Sequence, residues 1–172
     1  MQHILLVEDD VALRTQMRFS LEETYEIYEA GNVEEAVGVL EQKDVDIVIL
    51  DLGLPPHENT PDEGIKLLNF ILGRSSPKVI ILTGQKTENV ALEAIKSGAF
   101  DYIMKPVMMD KILYSIERAI LFRDAERKIE EQGIKKISFD IEIGRGFSLQ
   151  GKKQKKTLLS RCCRIQTSMS IG

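Results

Sequence analysis

The 172-residue chain is long enough for one domain with a substantial core plus an extension. Its 43% apolar and 29% charged residues are a globular composition, and no run approaches the roughly 18 apolar residues of a membrane span. The formal net charge of -4 divides unevenly: residues 138–172 hold seven Lys/Arg against two Asp/Glu, and residues 1–137 hold 16 against 25. The acidic main body is therefore not expected to grip nucleic acid directly.

In chain order, "HILLVE" reads as a buried strand. Its apolar stretch is too short for a secretory signal and runs straight into "EDD". "VALRTQMRFSLEE" follows with Val11, Leu13, Met17 and Leu21 at helical spacing, and Asp10 is placed to cap it. "YEIYEA" has the period of a strand, and "NVEEAVGVLEQ" reads as a helix capped by Asn32. "VDIVIL" is a third strand, followed by a long polar loop through Pro55, Pro56 and His57 and a helix "EGIKLLNFILG" that stops at Gly73. "KVIILT" is the fourth strand, "TENVALEAIKSG" a helix ending at Gly98, and "AFDYIM" the fifth strand. One long helix, "MMDKILYSIERAILFRDAERKIEEQ", closes the series, with Ile112, Ile116 and Ile120 on its core side. The adjacent cysteines Cys162 and Cys163 have neither loop-closing nor metal-ligand spacing, which fits a reducing cytoplasm.

Five strands alternating with five helices predict an α/β fold: a doubly wound parallel sheet with helices on both faces. In such sheets the site lies beyond the carboxyl ends of the strands, at the switch in strand order. Strand one ends at Glu8, Asp9 and Asp10, strand three at Asp51, strand four at Thr83 and strand five at Lys105-Pro106. Neighbouring first and third strands would bring carboxylates together, and either protons or a cation must relieve their repulsion. An oxygen cluster of this kind suits Mg²⁺. An acid beside a divalent metal, with a hydroxyl and an ammonium group nearby, is suited to accept a phosphoryl group.

The segments "ILLVEDD", "VILDLGLPP", "VIILTG" and "SGAFDYIMKP" together closely resemble the receiver domain of bacterial two-component response regulators. The resemblance covers residues 1–123 and implies the flavodoxin-like strand order 2-1-3-4-5. It makes Asp51 the phosphoacceptor, with Glu8, Asp9, Asp51 and the Gly53 carbonyl holding Mg²⁺. Thr83 and Lys105 would attend the phosphoryl group, with Gln85 as a modulator of its loss. Pro106 would follow a cis peptide bond that orients Lys105, and Tyr102 would be the switch aromatic. The implied partners are a sensor histidine kinase and a second copy, paired through the face of helix four, strand five and helix five. The long loop after Asp51, with "LTGQ", is similar to regulators tied to PEP-CTERM exopolysaccharide systems, of the nitrogen-regulation class of transcription activators.

A metal-dependent phosphohydrolase on a related sheet is the alternative. That chemistry wants an acid two residues after the nucleophile, where this chain has Gly53. A nucleotide binder would need glycines in the first loop, and "VEDDVAL" has none. Residues 124–137 are expected to form a helical linker. The 35 residues after Ile137 are too few for an ATPase domain, so an effector is expected to be missing from this chain. Residues 138–172 read as a basic, weakly ordered tail. Within it "GFSLQGK" mimics a phosphate-binding loop, but Lys153 stands where that loop needs a hydroxyl.

Overall fold

A computed structural model describes residues 1–131, except 58–59, 75–76 and 85–87. Gln85, the end of the expected linker and the whole 138–172 tail, with "GFSLQGK" and both cysteines, lie outside the described residues. The strands are β1 (His3–Val7), β2 (Glu26–Ala30), β3 (Ile47–Asp51), β4 (Lys78–Thr83) and β5 (Asp101–Met104). The helices are α1 (Val11–Leu21), α2 (Val33–Gln42), α3 (Asp62–Leu72), α4 (Glu88–Ser97) and α5 (Met109–Glu131). All strand pairs are parallel, in the order β2-β1-β3-β4-β5. This is the expected topology, and the switch point falls between β1 and β3.

The strand sequences account for the layering. Successive side chains point to opposite faces, so a strand covered on both faces must be apolar throughout. Every residue of β3 is buried, as are four of the five in β1 and five of the six in β4. Leu5, Val7, Val48 and Leu50 pack with Ala36 of α2, Leu67, Leu68 and Ile71 of α3 and Ala94 of α4. Ile4, Leu6, Ile47 and Ile49 face the other way, onto Met17 and Leu21 of α1 and Ile112, Ile116 and Ala119 of α5. β2 is an edge strand, and only its Ala30 is buried.

Local signals set the helix ends. The Asp10 carboxylate accepts from the Ala12 and Leu13 amides, at 2.8 and 3.1 Å, and so caps α1. Asn32 accepts from the Glu35 amide at 2.9 Å, while Glu35 accepts from the Gly31 amide at 2.7 Å, closing a reciprocal cap on α2. After α4, Gly98 takes φ +122°, a conformation that side chains with a Cβ rarely adopt.

α5 runs unbroken across position 123 and is tied to the lower edge of the sheet by side chains far apart in sequence. Asp46, just before β3, accepts from the His3 amide at 2.6 Å and from the Arg123 guanidinium. Lys78 at the start of β4 pairs with Glu126 at 2.7 Å, and the Phe122 ring packs on Phe100 with centroids 5.8 Å apart. Strand β3 therefore carries a carboxylate at each end: Asp46 beneath α5 and Asp51 at the opposite tip. Replacing Asp46 with Ala should release the end of α5. The expected cost is about 2 kcal/mol of local stability, which corresponds to roughly 30-fold faster exchange of the protected amides in residues 121–129. Hydrogen exchange followed by mass spectrometry checks this, with amides in α2 as internal references.

Candidate functional site

Beyond the carboxyl ends of β1 and β3 the chain leaves the sheet and the apolar requirement ends. Pairing of Val7 with Leu50 fixes the stagger of these two strands. The next residues of each, Glu8–Asp9 and Asp51, therefore meet above the switch point. One carboxylate oxygen from each of Glu8, Asp9 and Asp51 lies within 4.8 Å of the others. Glu8 is fully buried, and Asp51 is 6% exposed.

Lys105 closes the group from β5. Its ammonium lies 2.9 Å from Glu8 Oε1 and 3.0 Å from Asp51 Oδ2. The Lys105–Pro106 peptide bond is cis, as the sequence resemblance implies, and Pro55–Pro56 is also cis. Thr83 is fully buried at the end of β4, where its hydroxyl donates to the Gly84 carbonyl at 3.2 Å. Tyr102 is half-buried on β5 and packs against the cluster that includes α4. Gly53 follows Leu52, whose amide bonds the Leu82 carbonyl at 3.4 Å. His57 is exposed on the loop, with its ring 4.0 Å from Glu63.

The electrostatics are strained. At an effective dielectric of about 20, two like charges about 4 Å apart repel by about 4 kcal/mol. Three carboxylates share the site with one ammonium group, which touches Glu8 and Asp51. Burial is the first cause that pushes the Glu8 carboxyl up, to about 7; the Asp51 charge pushes the same way, and Lys105 opposes both. Burial alone would lower Lys105, but its bond to Glu8 and the charges of Asp51 and Glu8 outweigh that and hold it above the ordinary lysine value. Glu8 Oε2 lies 2.9 Å from the Lys105 nitrogen yet accepts no hydrogen bond of acceptable geometry. A buried carboxylate oxygen left over in a cluster of hard oxygen donors fits a divalent cation such as Mg²⁺.

Residues 4–117 match the family described as "Response regulator receiver domain". The chain belongs to the response regulator receiver family. Among its relatives, the transcriptional regulatory protein KdpE of Mycobacterium tuberculosis is 28% identical over 141 residues, which are 81% of this chain and 60% of that protein. A putative NtrX-like response regulator of Rickettsia felis is 35% identical over 172 residues, 98% of this chain and 36% of that protein. A receiver domain protein of Clostridium thermocellum superposes with a TM-score of 0.66 at 28% identity, covering 73% of this chain and 98% of that one. NtrX of Brucella abortus, solved with ADP, superposes with a TM-score of 0.69 at 27% identity, covering 77% of this chain and 30% of that one. The receiver chain thus spans between about a third and three fifths of the length of these curated regulators. The phosphohydrolase alternative has no support from these similarities.

Two residues of the receiver that sequence reading passed over help to build this site. Arg14 on α1 donates to the main-chain carbonyl of Glu8. Gly64 in the first turn of α3 lies so close to the loop after β3 that a methyl group there would overlap Leu52 Cα and come within 2.7 Å of its carbonyl oxygen. In sequence Arg14 looks like an ordinary exposed helix charge and Gly64 like a poor helix former; only the packing distinguishes them. Gly64→Ala should destabilise the domain by about 1–3 kcal/mol, because neither backbone can yield without moving its whole element. Gly38→Ala, where a methyl meets nothing within 4 Å, should be neutral or slightly stabilising. Urea denaturation of the two variants side by side checks this.

Proposed function

We propose that this receiver accepts a phosphoryl group on Asp51, with Mg²⁺ held by Glu8, Asp9, Asp51 and the Gly53 carbonyl. The observation that carries this reading is the meeting of three strand-tip carboxylates with the Lys105 ammonium, which touches both Glu8 and Asp51. A carboxylate oxygen of Asp51 attacks phosphorus, the bond from phosphorus to the donor breaks, and the donor leaves with its electron pair. When bound, Mg²⁺ supplies charge to the phosphoryl oxygens and relieves the repulsion among the acids. Lys105 is placed to pair with a phosphoryl oxygen once the Asp51 charge is transferred outward. Thr83 supplies a hydroxyl at the same rim.

The natural donor in this reading is the phosphohistidine of a sensor kinase. The switch follows from Thr83 and Tyr102, which lie on adjacent strands in the same direction from Asp51. Drawing Thr83 toward a phosphoryl group alters the packing around Tyr102 and so the face of α4, β5 and α5, through which two copies would pair. Similarity to a protein named as a transcriptional regulator and to NtrX-like regulators supports transcriptional output through an effector; a cytoplasmic location belongs to the same proposal. We take residues 1–123 as the receiver, 124–137 as the linker and 138–172 as a tail.

Incubation with acetyl phosphate and Mg²⁺ should add one phosphoryl group at Asp51, and Asp51→Asn should abolish it. Intact-mass and peptide-mapping spectra read the result; full labelling of the Asn variant refutes the assignment. Asp9→Ala should weaken Mg²⁺ binding at least tenfold in calorimetry while leaving the cation-free fold as stable as before or more so, since a repelling charge is gone.

A further inference from the structure

We propose that Arg14 is a positioning residue for the acidic site, holding the peptide from which Asp9 is presented. The inference rests on the reading of Glu8, Asp9 and Asp51 as a cation site. The Glu8–Asp9–Asp10 turn has to bend sharply from β1 into α1 while aiming an acid at β3. It is fixed at both ends of the Glu8 residue. The Glu8 amide donates to the Ala30 carbonyl of β2 at 3.1 Å. The Glu8 carbonyl, on the peptide that continues into Asp9, accepts from Arg14 Nη1. Asp10 then caps α1, and the Arg14 amide bonds the Asp10 carbonyl at 2.9 Å, so the arginine is anchored by the turn it holds.

The guanidinium is itself held in place. Its side chain is only 17% exposed, and Nε lies 3.4 Å from Glu29 Oε2 on β2. The second oxygen of Glu29 is engaged by Arg18 Nε at 3.2 Å. A methyl group on Gly31 would stand 3.3 Å from Arg14 Nη1, so glycine there leaves room for the planar group. Arg14 therefore bridges three things: the carbonyl beside Asp9, the edge strand β2 and the helix that carries it. An arginine can do this because its fork donates in two directions at once, which a lysine ammonium on a shorter reach cannot reproduce.

Charge and positioning predict opposite signs. As a cation near a cation site, Arg14 would repel Mg²⁺, and removing it would tighten binding. That effect is small, because the Glu29 carboxylate beside the guanidinium offsets its charge. As a support for the site's geometry, its loss should weaken binding, by about 10- to 100-fold if it acts like the outer supports of metal ligands in general.

The test is Mg²⁺ calorimetry on the full chain with Arg14→Met, Arg14→Lys and Glu29→Gln. We expect Arg14→Met to weaken binding at least about tenfold, Arg14→Lys to recover part of the loss, and Glu29→Gln, which removes one anchor of the guanidinium, to weaken binding less than Arg14→Met. Cation-free amide spectra should show the Glu8, Asp9 and Asp10 signals displaced in Arg14→Met, with those of β4 unmoved. Arg14→Met affinity equal to or tighter than wild type, in a folded protein, overturns the proposal. If that variant does not fold, Arg14→Lys decides: wild-type affinity and unmoved Glu8–Asp10 signals overturn the proposal. If wild-type protein itself binds no Mg²⁺, the cation-site reading fails, while the displaced Glu8–Asp10 signals still show whether Arg14 holds the turn.

Discussion

A parallel strand in the middle of a two-sided sheet has no polar face, so charge can enter only where the strand stops. This constraint organises the whole molecule. β1, β3 and β4 are buried along nearly their full length, and their carboxyl ends deliver Glu8 just past β1, Asp51 as the last residue of β3 and Thr83 as the last of β4. Because the strands run parallel, these ends all point the same way. Because the order switches between β1 and β3, the helices that follow them, α1 and α3, pack on opposite faces of the sheet. Acids that would be tolerable singly are thus held together by the same packing that makes the core.

That crowding has a cost which the surroundings only partly offset. One ammonium group serves two carboxylates, and burial leaves Glu8 near neutrality in its titration, with one oxygen unsatisfied. A site built only for stability would have replaced an acid with an apolar residue, which is commonly neutral or favourable for a buried ion pair. In the proposed function the retained charge serves a cation and an incoming phosphoryl group. The supports of the turn, Arg14 from α1 and the Ala30 carbonyl from β2, keep the repelling groups from relaxing apart.

The opposite end of the sheet handles a different task. Asp46, Lys78 and Phe100 hold the part of α5 that extends past the core residues Ile112, Ile116 and Ala119. The same five-residue strand links that anchor to Asp51, and a shift of β3 at one end would be felt at the other. The far half of α5 is thus held to the sheet by contacts with residues distant in sequence.

The sequence by itself determined the element order, the parallel sheet and the acids at the tips. Continuous apolar runs, helical spacing and caps such as Asp10 and Asn32 are local properties, legible without knowing what packs on what. The doubly wound arrangement followed from the handedness of the crossovers, and the order of strands from the family resemblance. Tertiary structure alone decided the rest. It brought Lys105 between Glu8 and Asp51, 97 positions away from Glu8 in the chain. It made Arg14 a support rather than a surface charge, Gly64 a point of backbone contact and Asp46 the seat of Arg123. Each of these depends on distance between elements that are separated in sequence, and no periodicity or composition within one segment records such a distance.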